Sequence, residues 1–367
     1  LPTYKEKDAV YTYHFYHLLQ RAKNIYILYN TEVDAMNGGE KSRFIAQLEA
    51  EKIHEIEDVI ITPQVRHIDN RLKSINKTDD IIDHLKDLAK KGFSPSALTS
   101  YIRNPLDFYF NKVLQINSFD DIEETVATNT FGTIIHNSLE ELYKPYISEV
   151  LTLESIAQMK SGINDTIKKF FIKEFRKGDI SKGKNLIIFE ITKRYISNYL
   201  DMESKSIAQG SQIKIIALEE ELKVPVSLPE LGFPIYMRGI VDRIDECNGV
   251  LRVIDYKTGK VEQSKVEIVE WEDITTDYDK YNKSFQVLAY AYMIHKQTSF
   301  KKPLEAGIIS FKNLKPGLLK FAKKDSPRSK KKNTIITEET INKYHNELKK
   351  LILEIFDPKI DIVEKQT

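Results

Sequence analysis

One turn constrains this chain more than any other feature of its sequence. Asn248-Gly249 separates two runs rich in β-branched residues, Ile235 to Glu246 and Val250 to Lys257. Asn-Gly between such runs predicts a β-hairpin with a two-residue type I′ turn, in which both turn residues have positive φ. The turn also fixes the register, because Cys247 then faces Val250 and the pairing follows residue by residue along both strands.

This register predicts that two carboxylates meet. Asp242 lies directly opposite Asp255, at a Cβ separation of about 5 Å, where like charges repel. Lys257 projects from the same face as Asp255, whereas Asp245 forms an ordinary ion pair with Arg252 on the other face. Carboxylates placed in this way can hold a divalent cation, with the lysine stabilising negative charge or helping to deprotonate water. The alternative is a surface hairpin with scattered charges, since charged residues make up 30% of the chain.

Hydrophobic periodicity predicts a helical first half and a strand-rich second half. The predicted helices cover residues 8–22, 40–52, two short stretches opened by Pro95 and Pro105, 129–146, 153–175, 185–207, 282–296 and 337–356. The predicted strands cover residues 24–30, 213–226, 235–246, 250–257 and 306–311, and a polar stretch near residues 70–80 is predicted to be a linker. The order predicts a mixed α/β (α+β) fold.

Composition excludes several classes of protein. No apolar run approaches the roughly 20 residues of a membrane helix, so no membrane partner is expected. The single cysteine, Cys247, forms no internal disulfide and supplies no cysteine cluster, which favours a reducing compartment, the cytoplasm. The net charge of +1 means that any polyanion must bind a local patch. Because the chain begins with Leu1, we expect a fragment of a longer protein.

Two basic segments have simple explanations. Gly39, Lys41 and Ser42 do not make a P-loop, because Glu40 separates the glycine from the lysine, and a helix start is predicted instead. The basic stretch of residues 323–332 is either a contact for backbone phosphates or a solvated hairpin tip.

Four short motifs carry a family resemblance. They are GTIIH at residues 132–136, GIVDR at 239–243, DYKTG at 255–259 and QVLAY at 286–290. In this order they resemble the hallmark motifs of the RecB-like branch of the PD-(D/E)XK nuclease superfamily. The resemblance covers residues 93–358 and implies a restriction-endonuclease-like core, with a mixed central sheet wrapped by helices.

The resemblance implies a metal site that holds Mg²⁺ or Mn²⁺. His136, Asp242, Asp255 and the main-chain carbonyl of Tyr256 would ligate the ion, and Asp242, Asp255 and Lys257 would be catalytic. Without its motif, His136 on an apolar helical face is more often a core histidine than a ligand.

Further residues would support this site or contact DNA. Gln286 and Tyr290 would line the DNA path, although Tyr290 among apolar neighbours is also explained by packing. Glu219 is selected from the strand before the hairpin, where a solvated face is the alternative. Arg243, inside the second motif, is assigned to the same supporting or DNA-binding group.

The resemblance also predicts the domain organisation. Residues 93–367 are the nuclease domain, 76–92 a linker, and 1–75 the remnant of a superfamily 1 helicase-like domain, indicated by Arg21-Ala22-Lys23 before an apolar strand. Some AddB-like relatives hold an iron-sulfur cluster through cysteines, but here Asn104-Pro105 stands where one cysteine is expected, so we expect no cluster.

The predicted function is a metal-dependent exodeoxyribonuclease. It would process DNA ends, single- or double-stranded, within a helicase-nuclease of double-strand break repair, together with a helicase portion or partner subunit. One alternative is a DNA-binding module that does not cut; another is a small-molecule hydrolase, for which the sequence offers no pocket signature.

Overall fold

The structure is a computed structural model that describes residues 4–29, 41–61, 72–116, 128–174, 182–298, 302–329 and 331–365. The chain divides into two units, Leu1–Asn70 and Arg71–Thr367. No helix in the described ranges is long and apolar enough to cross a membrane.

The described residues of the smaller unit include the helices α1 (Tyr4–Leu19) and α2 (Arg43–Glu51). They meet where Phe15 stacks on Phe44, with ring centroids 4.9 Å apart. The hydroxyl of Ser42 accepts a hydrogen bond from the amide of Phe44 and caps α2. The predicted helix start at this position is therefore confirmed, while Gly39 lies outside the described residues.

The predicted strand over residues 24–30 is wrong for the part that is described. Residues 24–29 form no strand, and Tyr26 and Leu28 are 86% and 82% exposed. A run of β-forming residues becomes a strand only where a neighbour takes up its backbone hydrogen bonds. Asn30 lies outside the described residues.

After one short strand, the first part of the larger unit is helical. Its first elements are β1 (Ser74–Ile75), α3 (Asp79–Lys91), α4 (Pro95–Arg103) and α5 (Pro105–Phe108), followed by a π-helical turn, Tyr109–Val113. Three longer helices follow: α6 (Thr128–Tyr143), α7 (Leu153–Glu174) and α8 (Gly183–Ala208). The predicted starts of α4 and α5 are confirmed, since Ser94 accepts from the amide of Ala97 at 3.1 Å and a proline opens each helix.

Groups of strands separated by helices make up the rest of the unit. The elements are β2 (Ile213–Val226), β3 (Ile235–Cys247), β4 (Val250–Lys257), β5 (Glu267–Ile268), α9 (Asp273–Thr276), α10 (Tyr278–Thr298), β6 (Leu304–Ser310), β7 (Leu319–Lys320), β8 (Ala322–Lys324), β9 (Lys332–Asn333), α11 (Glu338–Phe356) and β10 (Ile362–Val363). Thr337 caps α11, as predicted.

The segment predicted as a linker, residues 76–92, is instead mostly helix α3. Its side chains Ile81, Leu85 and Ala89 recur every four residues and are buried in the core. Charged residues dominate the composition of this helix, so its low mean hydropathy concealed a narrow apolar stripe. The core of the larger unit thus includes residues of α3.

A mixed sheet forms the centre of the larger unit. Within the described residues its five strands lie in the order β2-β3-β4-β6-β7. β2, β3 and β4 are antiparallel neighbours, β4 and β6 are parallel with α10 between them in sequence, and β7 is antiparallel to β6. Every residue of β6 is buried, as expected for a strand covered on both faces.

Helices cover both faces of this sheet and create two apolar cores. One core contains residues of α3, α4, α10 and α11, including Leu85, Leu98, Leu288 and Leu348. The other contains residues of α6, α7 and α8. The mixed sheet wrapped by helices agrees with the predicted fold class.

The two ends of the larger unit are joined to each other. β1 pairs with β10, with Ser74 opposite Val363. The ammonium of Lys77, largely buried, donates to the carbonyls of Glu354 (2.7 Å) and Asp357 (3.1 Å) at the end of α11. A cation there satisfies carbonyls that the helix itself leaves without a partner.

Candidate metal centre

The hairpin ends where the candidate site begins. Asn248 and Gly249 have φ of 51° and 83°, and Cys247 pairs with Val250, so the predicted turn and register are confirmed. The predicted pairing of Asp242 with Asp255 is wrong, however, because the ladder stops one step earlier, at Arg243 and Ile254.

A side chain bridges the strands at the point where the ladder stops. The carboxylate of Asp242 accepts a hydrogen bond from the main-chain amide of Tyr256 at 2.5 Å. A carboxylate that accepts from a backbone amide is firmly oriented. The opening of the hairpin therefore fixes Asp242 and leaves Asp255 free to make other contacts.

Three elements bring their side chains together beside this opening. His136 of α6, Glu219 of β2 and Asp242 of β3 each offer a ligand atom, all within 4.8 Å of one another. Nδ1 of His136 lies 3.2 Å from Oδ1 of Asp242 and 3.9 Å from Oε1 of Glu219. We call these three residues the acidic centre.

Local structure explains how each residue reaches the acidic centre. On α6, Ile134 and Ile135 are fully buried in the core, whereas His136 is one-quarter exposed. The rings of His136 and Tyr256 are nearly perpendicular, with their centroids 5.9 Å apart. Glu219 has a φ of 46°, in the left-handed region, which costs an L-residue about 1–2 kcal/mol. The strain falls on the residue that completes the acidic centre.

Asp255 and Lys257 form a second group beside the acidic centre. The ammonium of Lys257 lies 2.9 Å from Oδ1 and 2.7 Å from Oδ2 of Asp255, which is almost fully buried. Gln286 of α10 donates to Asp255 at 3.2 Å and to the hydroxyl of Tyr290 at 3.1 Å. The structure thus brings Lys257, Asp255, Gln286 and Tyr290 together, with Asp255 outside the close set of three.

The pKa values reveal an excess of negative charge. Burial first, and the negative charge of the neighbouring Asp242 second, raise the pKa of Glu219 to about 7. Burial also raises the pKa of Asp255, against the ammonium of Lys257. Burial alone would lower the pKa of His136, but the hydrogen bond and charge of Asp242 outweigh it and the pKa is raised. Without a cation, protons are the charge that can neutralise this site.

A glycine sets the distance between α10 and the sheet. A Cβ added at Gly239 would lie 3.0 Å from Cε of Met293 and 3.1 Å from Cε1 of Tyr290. Both are closer than a side-chain contact allows without movement. The glycine of the GIVDR motif therefore provides the space in which Tyr290 lies against β3.

The sequence profile of the PD-(D/E)XK nuclease superfamily matches residues 92–367. That is three quarters of the chain, and it contains every residue of the acidic centre. The chain belongs to the PD-(D/E)XK nuclease superfamily.

Similar proteins occur in Rickettsia. An uncharacterized protein of Rickettsia bellii is 27% identical over 197 residues, which are 52% of this chain and 22% of that protein. One of Rickettsia typhi is 25% identical over 260 residues, 68% of this chain and 28% of that protein. The chain therefore spans less than a third of the length of these relatives.

One solved structure is similar over most of both chains. It is the crystal structure of a "putative exonuclease" from Eubacterium rectale. The similar region covers 78% of this chain and 87% of that chain, with 12% sequence identity and a TM-score of 0.38.

PD-(D/E)XK nucleases use divalent metals, and the donor set here suits such an ion. One imidazole nitrogen and two carboxylates lie close enough to share a cation, and hard oxygen donors are what Mg²⁺ and Mn²⁺ prefer. A bound cation would also stabilise the ionised forms of Glu219 and Asp255, whose pKa values are raised by burial first and by the charge of Asp242 second. The residues present therefore fit a divalent ion, which His136, Glu219 and Asp242 would hold.

The structure places Arg243 in a buried network, which fits the supporting part of its predicted assignment and not direct DNA contact. Its side chain is fully buried and lies 2.6 Å from Asp245 and 2.8 Å from Glu203 of α8. It also donates to the hydroxyl of Tyr199 at 3.0 Å. The predicted pair of Asp245 with Arg252 is present at 2.6 Å but belongs to this buried network. In this PD-(D/E)XK fold Arg243 joins α8 to β3 and does not reach a substrate.

Sequence reasoning missed one group at the end of β6, opposite Lys257 of β4. Ser310, fully buried at the end of β6, donates to the carbonyl of Gly259 (2.9 Å) and accepts from the amide of Val261 (3.0 Å). Asn313 adds a hydrogen bond to the carbonyl of Val261. These bonds hold the loop that follows Lys257. The available signal was Ser310 as the one polar residue of the predicted strand, residues 306–311.

Proposed function

We propose that this chain hydrolyses phosphodiester bonds of DNA with Mg²⁺ or Mn²⁺ bound at the acidic centre. The observation that carries the proposal is the convergence of His136, Glu219 and Asp242 within 4.8 Å, beside the ion pair of Lys257 and Asp255. Convergence of donors from three separate elements next to a buried ion pair is expected of a reaction site rather than a solvated surface.

The side chains have distinct roles in this proposal. A bound divalent cation supplies Lewis-acid polarisation of a phosphate oxygen and lowers the pKa of water. Hydrolysis joins the oxygen of water to phosphorus and breaks one phosphorus–oxygen bond, and negative charge develops on the phosphoryl oxygens. The ammonium of Lys257, held by Asp255, offers fixed positive charge to stabilise it. Gln286 supports this arrangement by its hydrogen bond to Asp255.

We further propose an exonuclease that processes DNA ends within a helicase-nuclease of double-strand break repair. The support is the resemblance of all four motifs to the RecB-like branch. Residues 1–75 would then belong to a helicase-like domain, a proposal that rests on Arg21-Ala22-Lys23, because the strand predicted after it is not formed in the described residues.

The test is cleavage of end-labelled linear DNA and of covalently closed circles in Mg²⁺, Mn²⁺ or EDTA. We expect degradation of linear DNA that requires metal, and a loss of about 100-fold or more in rate for Lys257→Ala. The matched control is Lys260→Ala, which removes an exposed lysine three residues further on that pairs with Glu262.

Each outcome bears on one part of the proposal. Cutting of closed circles would replace the exonuclease with an endonuclease. Absence of cleavage by a folded wild-type chain in either metal would contradict the nuclease and favour a module that holds DNA without cutting it. Equal losses in Lys257→Ala and Lys260→Ala would contradict the role given to Lys257.

A further inference from the structure

Lys283 lies on the face of α10 that is turned toward Lys257. Lys283, Gln286 and Tyr290 are three and four residues apart, which places them within an arc of about 60° on a helix with 3.6 residues per turn. Gln286, in the middle, reaches Asp255. Lys283 therefore projects from α10 beside the same site, about one turn before Gln286.

The electrostatic surroundings of Lys283 agree with this placement. Burial lowers the pKa of its ammonium, and the positive charge of Lys257 lowers it further, while Asp255 acts in the opposite direction. Charges influence one another in this way only at short range and where water is partly excluded. Lys283 thus lies in the same electrostatic environment as the ion pair of Lys257 and Asp255.

Lys283 differs from the neighbouring lysines in what it contacts. Lys257 is paired with Asp255, Lys260 with Glu262, and Lys265 donates to the carbonyl of Asp279 at 2.8 Å. Across the described ranges, by contrast, no oxygen accepts a hydrogen bond from Lys283, and no carboxylate pairs with it.

An unpaired, half-buried ammonium is costly to the folded chain. Partial burial removes part of its hydration, and no protein group replaces what is lost. Packing of the methylene stem does not by itself explain a lysine at this position, since an apolar side chain would cover the same surface without the loss of hydration. A partner from outside the chain would offset this cost. Because the ammonium is positively charged, that partner is an anion, bound beside the acidic centre.

We propose that Lys283 binds a backbone phosphate of the DNA substrate next to the one that is cleaved. This inference rests on the proposed nuclease function and adds a phosphate-binding position to it. Gln286 and Lys283 then have different roles on one helix face, because Gln286 orients Asp255 whereas Lys283 contacts the substrate. A phosphate contact is independent of base sequence, which suits a nuclease that degrades DNA progressively.

The experiment compares Lys283→Met with Lys283→Arg in the full chain. Methionine keeps most of the stem and removes the charge, and arginine keeps the charge. The control is Lys280→Met, on the same helix, whose exposed ammonium lies over the ring of Tyr281. Binding of a short labelled DNA duplex is measured in EDTA over a range of salt concentrations, and cleavage is measured separately in Mg²⁺.

We expect Lys283→Met to bind duplex about tenfold more weakly and to lower the slope of log affinity against log salt by about 0.9, the value for one lost phosphate contact. KM should rise by a similar factor while kcat stays within about twofold. Lys283→Arg and Lys280→Met should behave as wild type.

The two proposals fail in different ways. Unchanged affinity and salt slope in Lys283→Met, with a wild type that binds and cuts DNA, would overturn the role of Lys283 alone. A wild type that binds duplex but does not cut it would overturn the nuclease, and the binding comparison would still report on Lys283. Lower thermal stability together with an unchanged salt slope would identify a purely structural lysine.

Discussion

Replacing Glu219 with glutamine should stabilise the metal-free protein, and only at high pH. The pKa of this carboxyl is raised from 4.5 to about 7 in the folded chain. The folded state therefore holds a proton that the unfolded state releases between those values, so the free energy of unfolding falls as the pH rises through that window. Glutamine cannot ionise, and Glu219→Gln removes the fall.

The magnitude follows from the size of the pKa change. A rise from 4.5 to about 7 corresponds to about 3 kcal/mol at 1.36 kcal/mol per pKa unit. Because the Glu219 side chain is 26% exposed, water screens part of this energy, and we expect about 1–2 kcal/mol at pH 8. For a domain of this size that gain raises the melting temperature by about 2–5 °C.

The assay is thermal unfolding in EDTA at pH 5 and at pH 8. Glu221→Gln is the matched control, since Glu221 lies on the same strand and is exposed, so its effect should be within about 0.5 kcal/mol. A gain for Glu219→Gln that is equal at both pH values, or a loss at pH 8, would refute the reasoning. In Mn²⁺ the order should reverse, because the wild type gains binding energy that the variant has lost.

Three further predictions concern groups that support the site. Gly239→Ala should displace Tyr290 and cost about 1–3 kcal/mol in urea unfolding, with a larger relative loss of cleavage rate; unaltered stability would contradict the close approach of α10. Arg243→Met should cost about 3–5 kcal/mol, since it leaves Glu203 and Asp245 buried without the guanidinium that joins them, and a variant as stable as wild type would contradict this account. Ser310→Ala should cost about 1–2 kcal/mol and slow cleavage, which a melting curve and a single-turnover assay would measure.

The sequence predicted the elements whose signals are local. β2 and β4 begin and end at the predicted residues, 213–226 and 250–257. The side chains of β2 alternate between buried and exposed at both ends of the strand, and the Asn-Gly turn before β4 adds a register that needs no knowledge of the rest of the fold. Caps at Ser94 and Thr337 were equally local, because each depends on a hydroxyl and the next turn of its own helix.

Predictions failed where distant parts of the chain decide the structure. The ladder between β3 and β4 stops before Asp242 and Asp255 because the carboxylate of Asp242 accepts the hydrogen bond of the Tyr256 amide. Rules for the turn do not describe a side chain that replaces a backbone acceptor. The burial of Arg243 depends on Glu203, forty residues earlier on α8. A motif gives the identity of a residue, whereas its exposure is set by what packs around it.

The candidate site was assembled in part from sequence. The motifs named Asp242, Asp255, Lys257 and His136, and the structure places all four within one region. The position of Glu219 depends on a left-handed backbone that alternation along a strand does not anticipate. Lys283 belongs to no motif, and only the absence of a partner among the described residues draws attention to it.

The pairing of β1 with β10, together with the cap that Lys77 places on α11, holds the two terminal strands of the larger unit beside each other. A short linker could therefore join them without moving either strand. A circular permutant that joins the two ends by a short linker and opens the chain in an exposed loop should keep the sheet, the acidic centre and its cleavage chemistry intact.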